Sequence, residues 1–129
     1  MKVNDHRRAL LVAILLSVAS MTLPTPALAH AELTSAAPAE DSAGPAPVPA
    51  ELRLSFSEPL ELAFTRVVVS GPDGLPLELA PLLLDPADDR MLVVPLEAAL
   101  PIGVITVEWT AVATDGHRSE DSYSFTIAP

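Results

Sequence analysis

The chain has 129 residues, no cysteine and a formal net charge of −10. Without cysteine there is neither a disulfide staple nor a thiolate metal site. An acid excess of this size disfavours nucleic acid and anionic lipid, whose counterions it cannot replace, and favours cations.

Residues 1–29 read as a secretory signal. Lys2, Arg7 and Arg8 give a positive start, Ala9–Ala19 (ALLVAILLSVA) is a short apolar core, and Pro24 and Pro26 break it. Ala27-Leu28-Ala29 then places small residues at the −3 and −1 positions of a cleavage site. The apolar run falls short of the roughly 18–20 residues that a spanning helix needs. Cleavage after Ala29 is therefore the expectation, rather than a retained anchor. Residues 30–129 suffice for one domain with a modest core. They carry four arginines, no lysine and 16 aspartates and glutamates, a net charge of −12. No later run could span a membrane, so the processed protein is expected to be soluble.

Along the processed chain, Ala31–Ser35 is a short strand-like piece. APAEDSAGPAPVPA follows, with Pro38, Pro45, Pro47 and Pro49. Proline lacks a backbone donor and fixes φ, so this segment can lie along an edge but cannot be a central strand or a helix. Beyond it the period becomes two. Leu52, Leu54 and Phe56 alternate with Glu51, Arg53 and Ser55, and Val67 and Val69 flank Val68. Gly71-Pro72-Asp73-Gly74 marks a turn between Val67–Val69 and Leu75–Leu79. Leu82–Leu84 is a short apolar run, Pro86–Asp89 a second turn, and Met91–Leu96 a strand broken at Pro95. Ile105, Val107, Trp109 and Ala111 form the cleanest alternation, and Tyr123, Phe125 and Ile127 share a face of the last strand. No segment keeps a 3.6-residue apolar period. About seven short strands in this length predict an antiparallel β-sandwich, each sheet burying one face.

Two histidines remain after residue 29, His30 and His117. Cleavage after Ala29 would make His30 the first residue. It would then offer an α-amine and an imidazole Nδ1, which can close a chelate ring on one metal ion. A free amine titrates near ~7.7–8.0 and an imidazole near ~6.5, so both are available as neutral donors at mildly basic pH. Asp115-Gly116-His117 lies between the Trp109 and Tyr123 strands. On extended backbone, side chains two apart share a face, so Asp115 and His117 are expected to converge. Three nitrogens and one carboxylate oxygen suit tetragonal Cu(II), with Zn(II) as a tetrahedral competitor. Each feature alone is ordinary: Asp-Gly is a routine turn, and a histidine after a cleavage site is often chance. What points to a metal is that the two histidines after residue 29 fall at the expected new N-terminus and in an Asp-x-His turn.

Three blocks carry a resemblance to the CopC family of periplasmic copper-binding proteins, over essentially all of residues 30–129. They are HAELTSAAPAEDS from His30, ELRLSFSEPLE with Phe56 and Ser57-Glu58, and VEWTAVATDGHRSEDSYSFTI with Trp109 and Asp115-Gly116-His117. The resemblance implies a Greek-key, immunoglobulin-like sandwich in the periplasm. It implies one Cu(II) per chain, held by an N-terminal histidine brace. By position, His30 supplies amine and imidazole, Asp115 and His117 the remaining ligands, and Glu58 a weak ligand or a neighbouring partner. Some relatives hold Cu(I) on a methionine-rich loop. Only Met91 is present after residue 29, on a strand where a core role is expected, so no Cu(I) site is expected. Asp121 stands where relatives often have glycine.

The leading functional reading is a monomeric copper carrier or buffer that sequesters Cu(II) or passes it to an inner-membrane importer. No Ser-His-Asp or paired-acid arrangement argues for an enzyme. A histidine-brace copper oxygenase is the alternative, but Trp109 and Tyr123 have core-facing periodicity rather than the exposed aromatics of a polysaccharide-binding face. A metal-free immunoglobulin-like module is a third reading, and it requires nothing of the His30 amine.

Overall fold

Alternating burial along its longest central strands shapes the structure, a computed structural model that describes residues 30–129. The expected signal, 1–29, lies outside the described residues. In chain order the strands are β1 (Leu33–Ala37), β2 (Ala43–Gly44), β3 (Glu51–Phe56) and β4 (Arg66–Ser70), then β5 (Leu83–Asp85), β6 (Asp88–Pro95), β7 (Gly103–Val112) and β8 (Arg118–Ile127). One 3-10 turn, Leu62–Phe64, precedes β4.

The strands form two four-stranded sheets, ordered β1-β3-β6-β5 and β2-β8-β7-β4. All pairings are antiparallel except β2 with β8. The chain leaves one sheet for the other between most successive strands, and only the β5–β6 and β7–β8 hairpins stay within a sheet. This is the expected sandwich. β2 lies outside the expected strands: it is two residues of the proline-rich segment lying at a sheet edge, as that segment's chemistry allows.

Leu52, Leu54 and Phe56 from one sheet meet Ile105, Val107, Trp109, Ala111, Tyr123, Phe125 and Ile127 from the other in one core. The Phe56 and Trp109 rings meet edge to face, centroids 5.1 Å apart at 83°, and so join the two sheets directly. Two expectations need correction. Leu75–Leu79 is not a strand. It makes only isolated bridges, Ser70 with Pro76 and Leu79 with Leu96, because Pro76 has no N–H to extend a ladder. Met91 is not in the core either. It is half-buried, with its sulfur 3.6 Å from the Ser55 hydroxyl, because β6 turns Leu92 inward and its neighbour outward.

Phe125 is among the largest fully buried side chains. Phe125→Ala should destabilise the domain by about 3–5 kcal/mol, read from the urea midpoint. Ile102→Ser, at an exposed position, should leave that midpoint nearly unchanged.

Candidate metal centre

The β7–β8 turn is built by local hydrogen bonds. The Gly116 amide donates to Ala113 O at 2.8 Å, and the Ala113 amide donates to His117 O at 2.9 Å. Gly116 has φ of +90°, a conformation that side chains resist, while a Cβ there would meet nothing within 4 Å. Glycine is needed for its backbone freedom rather than for space.

Asp115 and His117 do converge, but not as neighbours on extended backbone. Asp115 closes a turn on its own loop: Oδ1 accepts the His117 amide at 3.0 Å, and Oδ2 lies 2.9 Å from His117 Nδ1. These contacts hold the Asp115 carboxyl below its ordinary pKa of 3.8, the His117 backbone N–H being the largest cause and the imidazole the next. The carboxylate is thus charged at neutral pH.

His30 reaches the same corner from the far end of the sequence. Its imidazole stacks on that of His117, centroids 5.7 Å apart and planes 21° from parallel. Two serines hold the segment in place. Ser57 Oγ accepts the Glu32 amide at 2.9 Å and donates to His30 O at 3.1 Å, and the Ser57 amide donates to Glu32 O at 2.8 Å. From the other sheet, the Ser119 hydroxyl donates to Ala31 O. Ala31 itself is fully buried in the core. Neither serine is singled out by the alternation pattern, which reads only apolar positions.

Glu58 follows Ser57 and precedes Pro59, whose carbonyl accepts the Thr114 amide at 3.0 Å. Its backbone therefore runs between the two histidine-bearing segments, yet its half-buried carboxylate makes no ion pair or hydrogen bond among the described residues. The described residues contain no group of three or more His, Asp or Glu side chains set as a metal cluster. The reason is visible: Asp115 is turned onto His117, and the two imidazoles face each other. The donor types still fit Cu(II), since two imidazoles and one ionised carboxylate share a corner open to solvent.

His30 also borders a cavity of about 410 Å³ lined by Glu32, Glu40, Glu120 and Asp121, with Trp109 and Tyr123 at its inner wall. This acidic rim was legible in the sequence only as net charge. Trp109 Nε1 and Tyr123 OH are buried without a partner among the described residues. Burial pushes the Tyr123 phenol well above its ordinary pKa of 10, so it is no phenolate ligand. Trp109 and Tyr123 are 6% and 4% exposed, in keeping with their core-facing periodicity.

The family profile described as the CopC domain matches residues 33–128. Copper resistance protein C of Escherichia coli is 34% identical over 121 residues, covering 89% of this chain and 94% of that protein. Protein YobA of Escherichia coli strain K12 is 34% identical over 113 residues, covering 87% and 90%. The crystal structure of PcoC, a methionine-rich copper resistance protein from Escherichia coli, superposes with a TM-score of 0.67 at 32% identity. It covers 77% of this chain and 99% of PcoC.

Two measurements check this geometry. In a carboxyl NMR titration, the Asp115 midpoint should lie below 3.8 and move up toward it in His117→Ala. The associated stabilisation is present above the unfolded-state pKa and fades as pH falls through the folded one. Ser57→Ala should cost about 1 kcal/mol and speed hydrogen exchange at the Glu32 amide.

Proposed function

The chain belongs to the CopC domain family, and we propose that it is an exported Cu(II)-binding protein of the periplasm. Cleavage after Ala29 converts the His30 nitrogen from an amide, whose lone pair is delocalised, into an amine that can bind metal. The amine and imidazole of His30, with Asp115 and the imidazole of His117, then hold one Cu(II). Glu58 stands beside them as an outer carboxylate. The observation that carries this reading is the His30–His117 stack, which brings the only two histidines of residues 30–129 face to face from opposite ends of the domain.

The donors have distinct tasks. The His30 residue offers a chelate, which loses less freedom on binding than two separate donors would. Asp115 is ionised and lies 2.9 Å from His117 Nδ1, so a carboxylate oxygen and a ring nitrogen already stand side by side for the ion. The acidic rim of Glu32, Glu40, Glu120 and Asp121 raises the local cation concentration without competing as a preformed cluster. A nitrogen-rich set with a hard carboxylate favours Cu(II) over Cu(I).

A carrier or buffer role fits better than oxygen chemistry. The aromatic residues at the inner wall of the His30 cavity are buried, and Asp115 supplies a further donor to the ion. A monomer that sequesters copper or hands it to a membrane importer needs no reacting side chain, and the site offers no nucleophile with a partnered base.

The test compares protein beginning at His30 with protein carrying one extra residue before it. Cu(II) titration is followed by EPR and by fluorescence of Trp109, the only tryptophan. The extra residue should weaken binding at least tenfold, about 1.4 kcal/mol, and change the EPR spectrum. Equal affinity of the two forms would refute the brace. With ascorbate and oxygen, the loaded protein should yield neither peroxide nor oxidised polysaccharide above the level of free copper.

A further inference from the structure

On the other side of the ligand loop lies a second cavity, of about 470 Å³, lined by Phe64, Arg66, Thr110, Val112, Gly116 and Arg118. Gly116 stands between Asp115 and His117, so the cavity wall and the candidate metal loop share backbone. Register places its lining: Arg66 lies opposite Thr110, and Val112 opposite Arg118. The Glu61 amide ties the Phe64 turn to Val112 O at 2.8 Å. Phe64 itself is 65% exposed, a poor position for an aromatic ring that serves only the fold.

Charge makes the face unusual. Residues 30–129 hold four arginines against 16 acids, and two of the four, Arg66 and Arg118, line this cavity. Arg66 has no ion pair among the described residues, and Arg118 has only a solvent-exposed one with Glu120 at 3.2 Å. Exposed pairs of that kind are worth little and exchange readily. Arg53, by contrast, is committed to Glu51 and Asp85.

We propose that the Phe64–Arg66–Arg118 face is a docking surface for a protein partner that presents carboxylates around an apolar side chain. Aromatic and arginine side chains in one concave patch are the composition that anchors interfaces. The surface is otherwise predominantly acidic and repels a carboxylate-bearing partner, so the two arginines flanking Phe64 favour this face and repulsion elsewhere sets the orientation. Docking here places the partner's carboxylates beside Gly116, next to the loop that carries Asp115 and His117. The inference rests on the copper reading for its purpose, delivery or receipt at that loop, but not for its test.

The test uses metal-free, isotope-labelled protein beginning at His30. It is titrated with a synthetic dodecapeptide of aspartate and glutamate around a central leucine–phenylalanine pair. Saturable amide shifts should gather at Phe64, Arg66, Gly116 and Arg118, and weaken with added salt. Arg66→Glu and Phe64→Ala should each weaken binding at least tenfold, whereas Arg90→Glu should change it less than twofold. Cu(II) binding by EPR should be unchanged in Arg66→Glu, so failure of docking and failure of the copper site are read separately. The proposal is overturned by absent shifts, or by shifts spread equally to Arg53 and Arg90. It is also overturned if a lysine counterpart of the peptide, or cellohexaose, produces the same pattern. Shifts at these residues that follow protein concentration alone, with a dimer in sedimentation, would assign the face to a second copy and overturn it too.

Discussion

The β7–β8 ladder is the frame on which the rest of the domain depends. It runs without a register shift from Gly103 opposite Ile127 to Val112 opposite Arg118. Its inner face supplies seven of the core side chains, from Ile105 to Ile127. Its flanks are completed by β4 on one side and β2 on the other. Because the ladder is in register to its last pair, the turn that closes it is short and fixed. Asp115 and His117 therefore sit in a turn whose backbone is closed by its own hydrogen bonds, at the end of a continuous ladder.

The other half of the corner depends on the ladder less directly. The His30 segment has no partner strand of its own at its first residues. Side-chain hydroxyls from both sheets hold it: Ser57 at the end of β3 and Ser119 at the start of β8. With Ala31 buried between them, the segment bridges the sandwich at its open side. Each hydrogen bond is modest by net energy, but together they fix direction, so His30 is delivered to the corner where the β7–β8 turn stands.

Period-two alternation made the sandwich legible in the sequence. Leu52–Leu54–Phe56, the Trp109 strand and the Tyr123 strand bury the residues that their spacing predicts. Leu75–Leu79 looked equally apolar, but hydrophobicity does not report whether a backbone donor is available, and Pro76 removes it. Met91 illustrates a different limit, since a methionine inside an apolar run sits on either face of a strand. Residue types and spacing singled out His30, Asp115 and His117 as candidates, and the fold brings the three to one corner. The mode of convergence was not legible, because it depends on the positive φ of Gly116 and on an aspartate that bonds its own loop. The serine anchors and the acid-lined cavity arise from tertiary contacts between distant segments, which no local pattern encodes.

The proline-rich arm has a consequence beyond filling space between β1 and β3. Ala43 and Gly44 pair with Thr126 and Ile127, the C-terminal part of β8. The prolines at 45, 47 and 49 that follow have no N–H to offer a further strand. The sheet thus ends on that side in a strand too short and too poor in donors to be a template. For a domain with no cysteine to staple it, such an edge is protection against aggregation by strand addition.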